Sequence, residues 1–209
     1  MLSPYRLLDL TDDRGLLCGH ILGQLGADVI HVEPLGGSPA RRRGPFLPDV
    51  APPEASLYWQ AYTTNQRSVV LDLDTRADQQ RLRTLVQNAD FLIESADPGV
   101  QARRGLSYDD LAAINPALVY VSITAFGQTG PKAQWAATDL IVMAAGGPLF
   151  LNGDADRAPV RISVPQAYLH AGAEGALAAL IAHHERVRSG RGQHVDVSAQ
   201  AAVTAATQS

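Results

Sequence analysis

Two apolar runs near the N-terminus, YRLLDL (5–10) and DVIHVE (28–33), enclose a helical segment, 16–25, that stops at Gly26. A strand, a helix and a second strand joined by one short glycine turn form the unit of a parallel sheet, with the second strand beside the first. Right-handed crossover then leaves few topologies. The same order recurs downstream. The spacing predicts strands at 68–73, 90–94 and 118–123, with amphipathic helices at 75–88, under a Thr or Asp cap, and at 107–114, capped by Ser107 with Asp110 three residues on. A short helix is expected within 54–64 and another over 138–145, followed by a loop at 146–159. From Ser163, paired with Gln166 in a capping-box pattern, a long helix is expected to start near 164 and to stop near 188. There Arg186 and Arg188 would face the last carbonyls, Gly190 and Gly192 would supply a left-handed turn, and His194 to Ser198 alternates as a strand. Small residues from Ala167 to Ala179 line the first half of that helix, so a sheet or a ligand has to approach its backbone closely. The fold class expected is α/β, a Rossmann-like open, mainly parallel sheet with helices on both faces.

With 209 residues, 46% of them hydrophobic, the chain can bury one sizeable core. The formal charge is −4, and the basic residues are scattered apart from Arg41, Arg42 and Arg43, so there is no nucleic-acid footprint. No uninterrupted apolar run approaches the ~18 residues of a membrane span. The single cysteine, Cys18, cannot form an internal disulfide, which fits a reducing cytoplasm. Open parallel sheets bind ligands beyond the carboxyl ends of their strands. That directs attention to the loops after Leu10, Glu33, Leu73, Glu94 and Ile123, and to the segment 34–53, which holds six prolines and three glycines and is either functional or mobile. A dinucleotide fingerprint is missing, because Gly15, Gly19, Gly23 and Gly26 are spaced along the helix rather than in the turn before it. GQTGPK (127–132) lacks phosphate-loop spacing, no G-x-S-x-G elbow occurs, and no His, Cys and acid cluster has metal spacing.

What remains is an ordered set of stretches: LLDLT (7–11), LGADVIHVEPLGG (25–37), NQRSVVLDL (65–73), ADFLIE (89–94) with PGV (98–100), RRGLSYDDLAAINPALVYVSITAFGQTGP (103–131), ATDLIVMAAGG (137–147) and ERVRSGRGQHVDVS (185–198). In this order the chain resembles the family III CoA-transferases, the group of formyl-CoA transferase, the carnitine CoA-transferases and α-methylacyl-CoA racemase. The resemblance implies a large domain that binds coenzyme A, an acyl-CoA and a carboxylic acid as substrates, and an interlocked homodimer. It places CoA contacts at Arg14, Gly15, Leu71, Asp72, Leu73, Asp74, Arg103 and Asp139. It also implies a longer protein, with a small domain and a return to the large one. The sequence ends at Ser209 within a helix-forming run, so residues 1–209 are expected to be the large-domain portion, completed by a C-terminal segment or a partner.

The departures from the family bear on chemistry. Its transferases use an aspartate early in the long helix, whose carboxylate attacks the acyl-CoA; counting back from SGRGQ puts Ala167 there, and a methyl group cannot be acylated. The histidine of the racemase variant falls on Thr138. The stretch E-N-F-x-P-G reads Glu94, Ser95, Ala96, Asp97, Pro98, Gly99, and Asp97 would repel a phosphate. His170 and Glu174 have the i, i+4 spacing of a base and its orienter, and equally of an ordinary helix pair. Three functional readings follow: a CoA-transferase; a catalytically degenerate CoA-binding or scaffolding half whose chemistry has been lost or lies in another domain; and an acyl-CoA-directed lyase or hydrolase using His170 and Glu174.

Overall fold

A computed structural model describes residues 1–208. Six strands, β1 (Arg6–Leu10), β2 (Asp28–Glu33), β3 (Arg67–Val70), β4 (Phe91–Glu94), β5 (Val119–Thr124) and β6 (His194–Ser198), form one sheet in the order β3-β2-β1-β4-β5-β6. Every pairing is parallel, with Leu8 opposite Ile30 on one side and Leu92 on the other. Alternation along the strands sends successive side chains to opposite faces. Leu7, Phe91, Ile93, Val121 and Ile123 go to one core, and Leu8, Leu92 and Tyr120 to the other. The first core is covered by helices α1 (Leu16–Gln24), α8 (Ala167–Ser189) and α9 (Ala199–Ala206), and the second by α3 (Arg76–Val86) and α5 (Tyr108–Ala112). The remaining helices are the short α2 (Leu57–Tyr62), α4 (Val100–Arg103), α6 (Asp139–Gly146) and α7 (Pro148–Leu151), with a 3-10 turn at Pro39–Arg42. The α/β, Rossmann-like expectation holds. Among the described residues no helix is long and apolar enough to cross a membrane.

The expected small-residue stripe of α8 meets protein. A β-carbon on Gly172 would lie 2.9 Å from Leu17 Cβ and 3.1 Å from the Cys18 nitrogen, so α1 and α8 are in near backbone contact. The ends of α8 differ from the sequence expectation. Val164 precedes Pro165 and is therefore held away from helical geometry, and the helix starts at Ala167 rather than near 164. Ser163 caps nothing; the Ala167 amide donates to Asp139 Oδ1 at 2.7 Å, a cap supplied from α6. At the far end Gly190 is left-handed, at φ 74°. Gly192 is not, and is required because a β-carbon there would run into the Leu118 carbonyl oxygen. Arg186 does not face the last carbonyls of its own helix. It donates to the carbonyls of Asp90 (2.9 Å) and Ala117 (3.3 Å), pairs with the Asp90 carboxylate (3.2 Å) and lies over the rings of Tyr5 and Phe91, so it ties α8 to the amino ends of β4 and β5. Two smaller corrections concern loops. The third strand ends at Val70, so 71–74 is a turn into α3, and α7 interrupts the expected loop at 146–159.

The long segment after β2 is pinned rather than loose. Glu33, buried at the end of β2, accepts from Arg41 Nε (2.6 Å) and Nη2 (2.8 Å), the Ser38 amide (2.8 Å) and the Ser68 hydroxyl. Burial pushes its pKa up, but these donors win and hold it at about 2. Arg41 in turn covers the Trp59 ring at 4.3 Å. Glu94 ends β4 in the opposite condition. Burial lifts its pKa to about 7, against hydrogen bonds from Ser122 and the Ala96 amide, because no cation pairs with it directly.

Two outcomes follow from these contacts. Arg186→Ala leaves the Asp90 carboxylate to the Arg6 amide, the Asp90 carbonyl to the Val119 amide and the Ala117 carbonyl without this donor, and should cost about 2 kcal/mol in urea unfolding, with Arg186→Lys recovering only part because an ammonium lacks the fork. A group whose folded pKa is raised contributes stability fully present below its unfolded pKa and lost as pH rises through the folded one. Wild-type stability should therefore fall relative to Glu94→Gln, on the order of 2 kcal/mol, between pH 5 and pH 8. Parallel curves for the two proteins would contradict the assignment.

Candidate functional site

In this strand order, β1 and β4 lead off in opposite directions across the sheet, and a crevice opens where their outgoing loops part. A cavity of about 340 Å³ occupies this crevice. Four of the five loops singled out from the sequence supply its walls: Leu10 to Asp12 after β1, Glu33 and Pro34 after β2, Leu71 to Asp74 after β3, and Ser95 and Ala96 after β4. The fifth, after β5, borders a second cavity of about 300 Å³ through Thr124 and Ala125. A third, of about 680 Å³, lies between the start of α2 and the start of α8. Arg14 lines all three.

Arg14 is held there by the loops themselves. Its Nε and Nη2 reach both oxygens of Asp12 at 2.9–3.1 Å, and Nη1 donates to Asp97 at 2.9 Å. Burial works against its charge, but the two carboxylates more than compensate and raise its pKa. Ser95 completes the tie, accepting from the Asp12 amide and donating to its carboxylate, both at 2.9 Å. Ser95 and Asp97, departures from the family pattern, thus have a structural use: they fasten the β4–α4 loop to the β1–α1 loop. Asp97 is not a lone negative charge facing the crevice, since Arg14 offsets it. The cost falls on Arg14, which two carboxylates share before any ligand arrives.

Of the expected contact residues, Arg14 and Leu71 to Asp74 come together in the 340 Å³ cavity. Asp72 shapes the turn: its amide donates to Asp78 and its Oδ1 accepts from the Asp74 amide. Gly15 caps α1, where a side chain would collide with Thr11. Arg103 stands exposed on α4, and its neighbour Arg104 lines the cavity, paired with Asp74 at 2.7 Å. Sequence reading missed Arg104; in the dipeptide Arg103-Arg104 only the helix phase separates the two. Asp139 borders the 680 Å³ cavity and caps α8.

At the place of the expected nucleophile, Ala167 is fully buried in the first core and lines none of these cavities. Pro165, Tyr168 and Leu169 of the same turn do line the 680 Å³ cavity. Tyr168 also borders the 300 Å³ one, and its buried hydroxyl has no partner among the described residues. His170 and Glu174 are exposed and touch none of the three cavities. Tyr58, Tyr62 and Arg43, not foreseen as site residues, form the opposite wall of the largest cavity. Arg43 pairs with Asp13 at 2.7 Å and lies over Tyr58 at 4.3 Å.

Comparison with known proteins agrees with the architecture. The sequence pattern of CoA-transferase family III matches residues 2–209. The succinyl-CoA:(R)-benzylsuccinate CoA-transferase subunit BbsE of Thauera aromatica is 41% identical over 94% of this chain and 48% of its own length. The succinate–glutarate CoA-transferase of Agrobacterium fabrum is 38% identical over 94% of this chain and 50% of its own length. A CAIB/BAIF family protein from Brucella suis shares the fold with a TM-score of 0.93 at 35% identity, over 99% of this chain and 55% of that one. The chain spans about half the length of the curated relatives it matches. Over essentially its whole length, then, this protein belongs to CoA-transferase family III.

Proposed function

We propose that this chain is the CoA-binding large-domain portion of an enzyme that moves CoA between carboxylic acids. The observation that carries the reading is the meeting of three cavities at Arg14, beyond the carboxyl ends of a parallel sheet, in a chain that matches the family from residue 2 to 209. The 340 Å³ cavity has the place to take the nucleotide end of CoA, with Arg14 and Arg104 as its cations. The thioester end would then pass Arg14 toward the larger cavity at the start of α8.

The chemistry of such a transfer is nucleophilic. A carboxylate attacks the thioester carbonyl and expels CoA thiolate, leaving a mixed anhydride; the thiolate returns to the enzyme's acyl carbon and releases the first acid, and the acceptor acid reverses both steps. Ala167 has no lone pair to offer and faces the core. The attacking carboxylate in this reading comes from another segment or from a second chain, and this chain supplies the CoA site and part of the acyl site. The Thauera relative is itself named as a subunit. A CoA-binding half with no part in catalysis is the second reading, favoured by the same alanine.

Calorimetric titration of the purified chain with CoA tests the site. Micromolar binding is expected, weakened several-fold by Arg104→Ala. Asp97→Ala should tighten it by about threefold, since it frees one arm of Arg14 and removes a negative charge at the crevice. No heat with CoA, in wild type and Asp97→Ala alike, would end the proposal.

A further inference from the structure

Resting on that CoA-binding reading, we propose that the 680 Å³ cavity receives the acyl group of a thioester whose acid is bulky and apolar or aromatic. Size is the first argument. An acetyl or formyl group has two or three heavy atoms, each about the size of a water molecule at ~30 Å³, and would leave most of the cavity to solvent. The walls are the second. Tyr58 and Tyr62 present two rings with centroids 4.9 Å apart and tilted by 55°, and Leu169 faces them from α8. The rings, with Val164, Pro165 and Leu169, give the cavity an apolar side that favours burial of hydrocarbon, while its charged lining residues are Asp13, Arg14, Arg43 and Asp139.

Charge is the third argument, and it separates this acid from small dicarboxylates. Both guanidinium groups at the wall are already committed: Arg43 to Asp13 and the Tyr58 ring, Arg14 to Asp12 and Asp97. Asp13 and Asp139 bring negative charge to the same wall. A distal carboxylate on the acyl group would displace an existing ion pair or stay unpaired, at a cost that a phenyl or branched alkyl group avoids. One buried polar group is unpaired: the Tyr168 hydroxyl has no partner among the described residues, and burial raises its pKa so that it keeps its proton. It would gain an acceptor from the thioester carbonyl as the acyl group enters where the 300 Å³ cavity meets the large one.

The test is a set of titrations of the 209-residue chain with CoA, acetyl-CoA, succinyl-CoA and phenylacetyl-CoA. Phenylacetyl-CoA is expected to bind at least tenfold more tightly than acetyl-CoA, and succinyl-CoA no more tightly than acetyl-CoA. Tyr62→Ala should reduce the phenylacetyl advantage at least threefold. If CoA binds and the three thioesters bind alike, or succinyl-CoA binds best, the acyl assignment is wrong while the CoA site stands. If none of the four binds, the CoA reading falls and takes this proposal with it. The wild-type comparison decides even where Tyr62→Ala fails to fold.

Discussion

Everything in this structure is arranged around one close approach, that of α8 to α1 on one face of the sheet. Gly172 permits it: with any side chain there, Leu17 and the backbone at Cys18 would be pushed away. The contact sets the height of α1 over the sheet and so the position of its first turn, where Arg14 and Gly15 enter the crevice. It sets equally where α8 begins, and with it the place of Tyr168 and Leu169 at the largest cavity. Arg186 fixes the other end of the same helix to the amino ends of β4 and β5. A 23-residue helix held at both ends and pressed against α1 in between behaves as a beam, from which the site's geometry is hung.

The strands and most helices were legible because burial imposes a period on the sequence. Strand alternation that divides Leu7 from Leu8, or Phe91 from Leu92, divides two cores, and short loops leave one way to connect them. What was not legible depends on partners distant in sequence. Ser163 with Gln166 looks like a cap, but Pro165 delays the helix and Asp139, 28 residues earlier, supplies the acceptor. Arg186 near a helix end suggests charge against the dipole, whereas its actual partners are carbonyls 69 and 96 residues away. Gly192 reads as a turn residue, and only the neighbouring Leu118 carbonyl reveals that space is the constraint.

The site was legible in its place and less so in its members. Open parallel sheets hold ligands beyond the carboxyl ends of their strands, so the loops after β1 to β4 could be named from the sequence. Which of Arg103 and Arg104 faces inward is a matter of 100° of helix phase on a four-residue helix, beyond what a pattern can resolve. Ala167 was located by counting along the chain, and counting carries no information on which way a side chain points. The aromatic wall of Tyr58 and Tyr62 left no signal either, because a helix of six residues after a proline-rich segment looks like any surface turn.

The charge pattern around Arg14 joins fold to chemistry. A guanidinium with two carboxylate partners has net charge −1 with them, so the loops gain a rigid junction while the crevice gains little positive potential. The two pairs are not equivalent. Asp12 is largely sheltered, with 28% of its side chain exposed, and contributes both oxygens; Asp97 is 77% exposed and contributes one. Solvent screens the second pair far more than the first, so an arriving phosphate would displace Asp97 and leave Asp12 in place. In that exchange Arg14 keeps its position while changing its partner. The same residue can therefore brace the crevice loops and, in the proposed CoA complex, turn one arm toward a phosphate without any movement of α1.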